Sequence, residues 1–124
     1  MPYVYMFQPQ FAPLVESGEK RHTIRPTRKR RTKPGYDLSL RAWTDKPYRS
    51  RQRILRNVVC SWACQIEITE LTAVIYGDCP MYPIGFDLDI LAHRDGFPDW
   101  PAMRDWFRNT HGLPFTGDFI GWEV

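Results

Sequence analysis

The segment Gly18-Glu19-Lys20-Arg21-His22-Thr23-Ile24-Arg25 is the part of this 124-residue chain best equipped for chemistry. It sets an amine, a hydroxyl and a guanidinium within six residues. Cations this close repel one another, and both repulsion and burial favour a neutral lysine. A neutral Lys20 can take the proton of the Thr23 hydroxyl and make a weak nucleophile usable. Arg25 can then hold a carbonyl, a phosphate or a developing oxyanion. The same residues also suit a plainer role, in which Lys20 and Arg25 bind phosphate or solvent and Thr23 is an ordinary strand residue. Geometry adds a condition. On a regular strand Lys20 and Thr23 have opposite parity, so Lys20 must lie in the turn before the strand, or a bulge must intervene. Thr23 and Arg25 share a face without such help.

The other reactive side chains are less suggestive. Cys60 and Cys64 share the apolar side of an alternating run with Trp62, where cysteine behaves as a small hydrophobe. Zinc-binding pairs sit on turns, about two to four residues apart. The spacing of Cys60, Cys64 and Cys79 therefore predicts no metal site, and no cofactor is expected. His22, His93 and His111 are scattered near turns and read as surface or internally satisfied histidines. Ser17, Ser39, Ser50 and Ser61 lack the Gly-x-Ser-x-Gly surround of a nucleophile elbow, and the chain has no phosphate-cradling glycine loop.

Charge is unevenly spread. Residues 20–56 hold fourteen of the seventeen Lys and Arg and only two acids, a net +12, whereas the remainder carries three bases and twelve acids, a net −9. Such segregation predicts a polyanion-facing surface, a solvated loop face being the simpler alternative. The candidate nucleic-acid or substrate contacts are Arg21, Arg25, Arg28, Lys29, Arg30, Arg31 and Lys33, together with Tyr48 and Arg49 in a second basic stretch. Tyr36, Trp43 and Tyr48 add aromatic rings, and stacking plus phosphate contact is how single strands are held.

The elements that must position these residues follow from pattern. Residues 3–7 are rich in β-formers and predict a strand. A short helix follows, with Pro9 near its start, Phe11, Leu14 and Val15 on one face, and Gly18 as its terminating glycine. Residues 20–25 return as a strand stopped by Pro26. Residues 26–35 form a proline-bounded basic loop, and residues 36–42 alternate as a half-buried strand. Residues 45–56 read as the second basic loop. Residues 58–68 give the clearest strand, and residues 71–76 another. A short helix is expected near residues 89–94, broken by Asp95-Gly96-Phe97-Pro98. Asp99 can cap the next helix, whose face carries Trp100, Met103, Trp106, Phe107 and Thr110, with Gly112 at its end. Residues 118–124 close the chain as a strand. This order predicts one α+β domain: a mostly antiparallel sheet, able to close into a barrel, decorated by three short helices.

The length allows one domain and the 15% aromatic content supports a core. No stretch reaches the roughly 20 apolar residues that span a bilayer. The first residues have no basic region or cleavage site of a signal peptide, and three cysteines cannot all pair, so the cytoplasm is the expected location. Oligomeric state is not readable from the sequence.

The run Phe11…Gly18-x-Lys20-x-x-Thr23-x-Arg25, followed by Pro34-Gly35-Tyr36-Asp37, resembles the ASCH domain, a PUA-like β-barrel family. Asp95-Gly96-Phe97, the helix around Trp106-Phe107 and the last strand through Trp122 match its second half as a pattern of elements, so the resemblance spans nearly the whole chain. It implies a barrel with a cleft at the helix–strand corner and an RNA-related role. Small bacterial members are similar to amidohydrolases that deacetylate N4-acetylcytidine with a Lys, a Thr and a Glu. Lys20 and Thr23 match the first two, and Asp95, a shorter acid, is the nearest counterpart of the third. The loops 26–34 and 45–56 exceed what the smallest amidohydrolases carry and suit a polymeric partner. Three roles thus stand open: an RNA- or DNA-binding module; a hydrolase of a modified nucleoside or of RNA, with Thr23 as nucleophile, Lys20 as base, Asp95 as proton carrier and Arg25 as clamp; and a docking protein whose Gly18–Arg25 corner is packed and pocketless.

Overall fold

The computed structural model describes residues 2–77, 79 and 81–124. Their order is β1 (Tyr3–Met6), α1 (Ala12–Ser17), β2 (His22–Pro26), β3 (Asp37–Trp43), β4 (Gln52–Ile68), β5 (Ala73–Tyr76), α2 (Leu88–Arg94), α3 (Trp100–His111) and β6 (Phe115–Trp122). The fold is α+β, with one mixed sheet. Its strands run β1-β3-β4-β6-β2, with β5 paired to β4. The β1–β3 ladder is parallel and the other ladders are antiparallel.

Local chemistry explains the ends of the elements. Gly18 has φ 86° and ends α1 in the left-handed conformation that only glycine takes without strain. The Asp99 carboxylate accepts the Ala102 N–H and caps α3, with Pro101 in the first turn. On β4, Cys60, Trp62, Cys64, Ile66 and Ile68 are all buried, so the two cysteines serve as small apolar groups. Between β4 and β2, β6 is covered on both faces and is buried at every position but Thr116.

Most boundaries move by a residue or two from the sequence reading, and three of the differences have a clear cause or consequence. β4 begins at Gln52, so residues 52–56 are strand and the second basic loop is shorter. The arginines there hid the strand, because β-pattern reading relies on apolar alternation. Opposite, Arg53 and Arg56 reach Glu16 of α1: Arg53 Nη1 lies 2.6 Å from its carboxylate and Arg56 Nε donates to its carbonyl. The last strand spans Phe115–Trp122 rather than 118–124. Pro26 is the final residue of β2, at a position where no strand N–H is needed.

The pairing path is open: among the described residues no backbone ladder joins β1 to β2. Side chains cross that seam instead. Arg25 Nη2 donates to Met6 O at 2.6 Å and Arg28 Nη2 to Val4 O at 2.5 Å. Their guanidinium groups lie over Phe7 at 4.7 Å and Tyr5 at 4.0 Å from the ring centres. Tyr5 and Thr32 hydroxyls meet at 2.5 Å and fasten the following loop to β1.

Candidate functional site

Lys20 lies in the turn after Gly18, before β2 begins at His22. The condition set by strand parity is therefore met without a bulge. Gly18 reverses the chain at the end of α1, and the Lys20 N–H then bonds Leu14 O, which locks the corner. Asp95 arrives from the other side, at the C-terminal end of α2. Lys20 Nζ is 2.5 Å from Asp95 Oδ1 and also donates to Asp95 O at 2.7 Å. Both residues are almost wholly buried, at 3% and 4% exposed.

A second group holds the same carboxylate oxygen. His22 is 1% exposed, its Nδ1 is 3.1 Å from Asp95 Oδ1, and its Nε2 is 2.7 Å from the Tyr82 hydroxyl. An ionised carboxylate only accepts, so Nδ1 carries the hydrogen and Nε2 accepts from Tyr82. The result is a buried chain, Tyr82–His22–Asp95–Lys20, walled by Trp62 and Phe119 edge-on to the imidazole.

Burial and charge compete at each member. Burial lowers the Lys20 pKa more than Asp95 raises it, and Arg25 lowers it further. Burial also opposes a charged Asp95, but the Lys20 ammonium and the His22 N–H outweigh it and keep the carboxyl below its usual range. Burial holds His22 neutral, its pKa falling despite the carboxylate. The Tyr82 hydroxyl is pushed up to about 12 by burial and stays protonated, as a donor.

The open side of this corner is a cleft of about 220 Å³. Lys20, Thr23, Arg25 and Asp95 all line it, against walls from Phe7, Phe11, Phe97 and Trp106, with Thr110 and His111 of α3 at its rim. The α3 stripe read from the sequence thus divides: Trp100, Met103 and Phe107 enter the core, while Trp106 and Thr110 face the cleft. The Thr23 hydroxyl accepts from Arg25 Nε at 3.1 Å; no hydrogen bond joins it to Lys20 among the described residues. Arg25 is occupied twice, by Thr23 and by Met6 O, and burial draws its pKa down to about 10, which leaves it charged at neutral pH.

The basic candidates separate by their partners. Arg21 donates to Gly18 O. Arg28 laces the seam, and Arg31 Nη2 lies 3.2 Å from Asp118 Oδ1, an ion pair without hydrogen-bond alignment. Lys29, Arg30 and Lys33 are exposed, as are Tyr48 and Arg49 at the β3–β4 turn, and none of these makes a side-chain bond among the described residues. From the sequence, His22 and His111 read only as surface or internally satisfied histidines, and Tyr82 draws no notice. The i, i+2 spacing of Lys20 and His22, which brings both to one carboxylate, was the available signal; nothing in the sequence marked Tyr82.

The chain gives no match to protein-family models, to curated proteins or to solved structures.

A pH prediction follows from the His22 environment, which Lys20, Asp95, Tyr82 and Arg94 share. A base whose pKa is lowered on folding stays neutral in the native state, while the unfolded chain takes up a proton near the ordinary value of 6.5. The His22 contribution to stability is therefore complete above that value and is lost as pH drops through it; Asp95 adds a further loss only below its ordinary value of 3.8. Urea midpoints are expected to decline between about pH 7 and pH 5, and less so in His22→Asn. A flat wild-type profile over that range would refute a neutral, buried His22.

Proposed function

We propose that this chain is an RNA-binding protein of the ASCH, PUA-like class, working in the cytoplasm, and that the Lys20–Thr23–Asp95 cleft receives a single nucleobase or nucleoside. One observation carries the reading: flat aromatic walls and four polar side chains of different character meet in one open cleft at the Gly18–Arg25 corner. The volume is below the roughly 300–1,000 Å³ of sites for drug-sized ligands and suits a flat heterocycle. Lys20 supplies donors, Thr23 both a donor and an acceptor, and Asp95 an acceptor. Its Oδ2 has no protein partner among the described residues. A base edge bearing an amine and a carbonyl meets that set. The arginine-laced seam between β1 and β2 supports the barrel-like closure of the class. The open cleft counts against a pure docking role, which needs a packed corner. Lys29, Arg30 and Lys33, exposed in the loop that follows Pro26, are the cations this reading assigns to phosphates.

A second reading, hydrolysis of an acylated base such as N4-acetylcytidine, is favoured by the burial that lowers the Lys20 pKa. Thr23 Oγ1 would bond to the acyl carbon as its proton passes to Lys20. The carbon–nitrogen bond would break with that proton going to the leaving amine, and water would then cleave the acyl ester. This route requires a neutral Lys20. Paired with Asp95 at 2.5 Å, Lys20 serves better as a donor, which is why binding is the leading reading.

The test is a titration of single-stranded RNA at several salt concentrations. Contact with about three to five phosphates gives a slope of log K on log salt near −2 to −3.5, and Lys29→Gln/Arg30→Gln shallows it by about 1.4. Salt-independent affinity would remove the RNA reading. Incubation with N4-acetylcytidine, beside Thr23→Ala, addresses the second: equal turnover by both proteins would sink the Thr23 assignment.

A further inference from the structure

The β3–β4 turn contains an exposed aromatic residue in a backbone conformation that its side chain disfavours. The Arg49 N–H bonds Lys46 O at 3.1 Å, closing a four-residue turn with Pro47 second and Tyr48 third. Tyr48 has φ 62°, the only positive φ among the described non-glycine residues. Proline second and a positive φ third define a type II turn, whose third position belongs to glycine or asparagine. A tyrosine there is held against local preference, and such strain concentrates where a side chain meets a ligand.

The rest of the turn is firmly built. Thr44 N–H bonds Arg51 O, Asp45 N–H bonds Ser50 Oγ, and Ser50 Oγ donates to Lys46 O. The strain is therefore not relieved by disorder of the loop. Tyr48 is 88% exposed, and its ring touches only the edge of a platform, Trp43, at 5.2 Å between centres and 48° between planes. No core contact accounts for the aromatic. Lys46, Arg49 and Arg51 flank it along the chain, all exposed, and Asp45 is the one acid between Thr44 and Arg51. The turn leaves the sheet at the end where β1 delivers Met6 and Phe7 to the cleft, since the Phe7 N–H bonds Arg41 O, two residues before Trp43.

We infer that Tyr48, seated beside Trp43 and flanked along the chain by Lys46, Arg49 and Arg51, is a stacking post for an unpaired base of a single-stranded nucleic acid, distinct from the base-sized cleft. The inference rests on the RNA-binding reading and deepens it: Tyr48, a candidate contact on sequence grounds, is given a stacking role that a duplex cannot engage. An exposed ring offers one face to any base, and the flanking cations take its phosphates. A duplex keeps its bases stacked internally and has none to give the post.

The experiment compares wild type, Tyr48→Gly and Tyr48→Phe for binding to a fluorescent single-stranded oligouridine and to duplex RNA of equal length, with thermal melts of all three. Glycine removes the ring and the strain together, so Tyr48→Gly is expected to melt about 2–6 °C higher while losing roughly tenfold or more in single-strand affinity. Tyr48→Phe should bind within about threefold of wild type, because the ring face is retained. Duplex affinity should be unchanged by either substitution. Undiminished single-strand binding by Tyr48→Gly overturns the stacking post and leaves the RNA reading intact. An equal loss on duplex overturns single-strand selectivity. A lower melting temperature for Tyr48→Gly overturns the claim that tyrosine is held there under strain. Failure of the wild type to bind either RNA removes the RNA reading and this inference with it.

Discussion

Asp95→Ala is expected to cost about 3–5 kcal/mol of folding stability, the usual consequence of deleting one partner of a buried ion pair. The substitution strands the Lys20 ammonium, 3% exposed, with only the Asp95 carbonyl as partner. It also strips His22 Nδ1 of its acceptor, and an unsatisfied buried donor adds about 1–3 kcal/mol when no water reaches it. Most of the loss should come from the uncompensated charge rather than from the missing contact. Adding Lys20→Met to Asp95→Ala removes that charge and should recover half or more of the loss, as replacing both members of a buried pair by apolar groups commonly does. Urea denaturation of the two variants beside wild type at neutral pH measures the difference. An Asp95→Ala protein within about 1 kcal/mol of wild type would mean that the corner is solvated and the pair worth little, as at a surface.

Gly121→Ala should cost about 3 kcal/mol, near the upper end of overpacking penalties. Gly121 of β6 stands opposite Trp62 of β4, just where the register of the two strands slips between Cys60 and Trp62. The Trp62 indole lies flat over the glycine, and a methyl group added there would occupy the space of three of its ring atoms. Trp62 has little room to yield. It is buried, edge-on to Phe119 at 4.8 Å and to His22 at 6.0 Å. Displacing it would therefore press on the imidazole that holds Asp95. Two readouts should move together: a lower urea midpoint, and altered ring resonances of His22 in an NMR spectrum of the folded variant. A variant as stable as wild type would show that Trp62 repacks freely, against the close packing of protein interiors.

The part of the site that could be read from the chain was its local part. Gly18 ending a helix, Lys20 in the turn and Thr23 and Arg25 on a common strand face all depend on backbone preferences acting over a few residues. The alternation of residues 60–68 and the Asp99 cap were legible for the same reason. What failed were patterns without an apolar signal. Residues 52–56 carry arginines at strand positions because Arg53 and Arg56 face Glu16 of a helix close in space and distant in sequence.

Charge was the most ambiguous quantity in the sequence. A run of like residues between 25 and 33 gives no sign of which are structural. Arg25 and Arg28 cross the β1–β2 seam and Arg31 faces Asp118, which leaves Lys29, Arg30 and Lys33 toward solvent. These assignments hang on carbonyls of β1 and a carboxylate of β6, and no local rule reaches that far.

The sequence by itself determined the α+β class, most of the elements and the corner at which chemistry would gather, because helix ends, turns and alternation are settled by neighbours in the chain. Only the tertiary structure decided that Asp95 meets Lys20, that His22 and Tyr82 stand behind it, and that the corner opens into an aromatic-walled cleft. Those contacts join residues 60 to 75 positions apart, brought together when burial of the apolar faces set β2, α2 and α3 against one another.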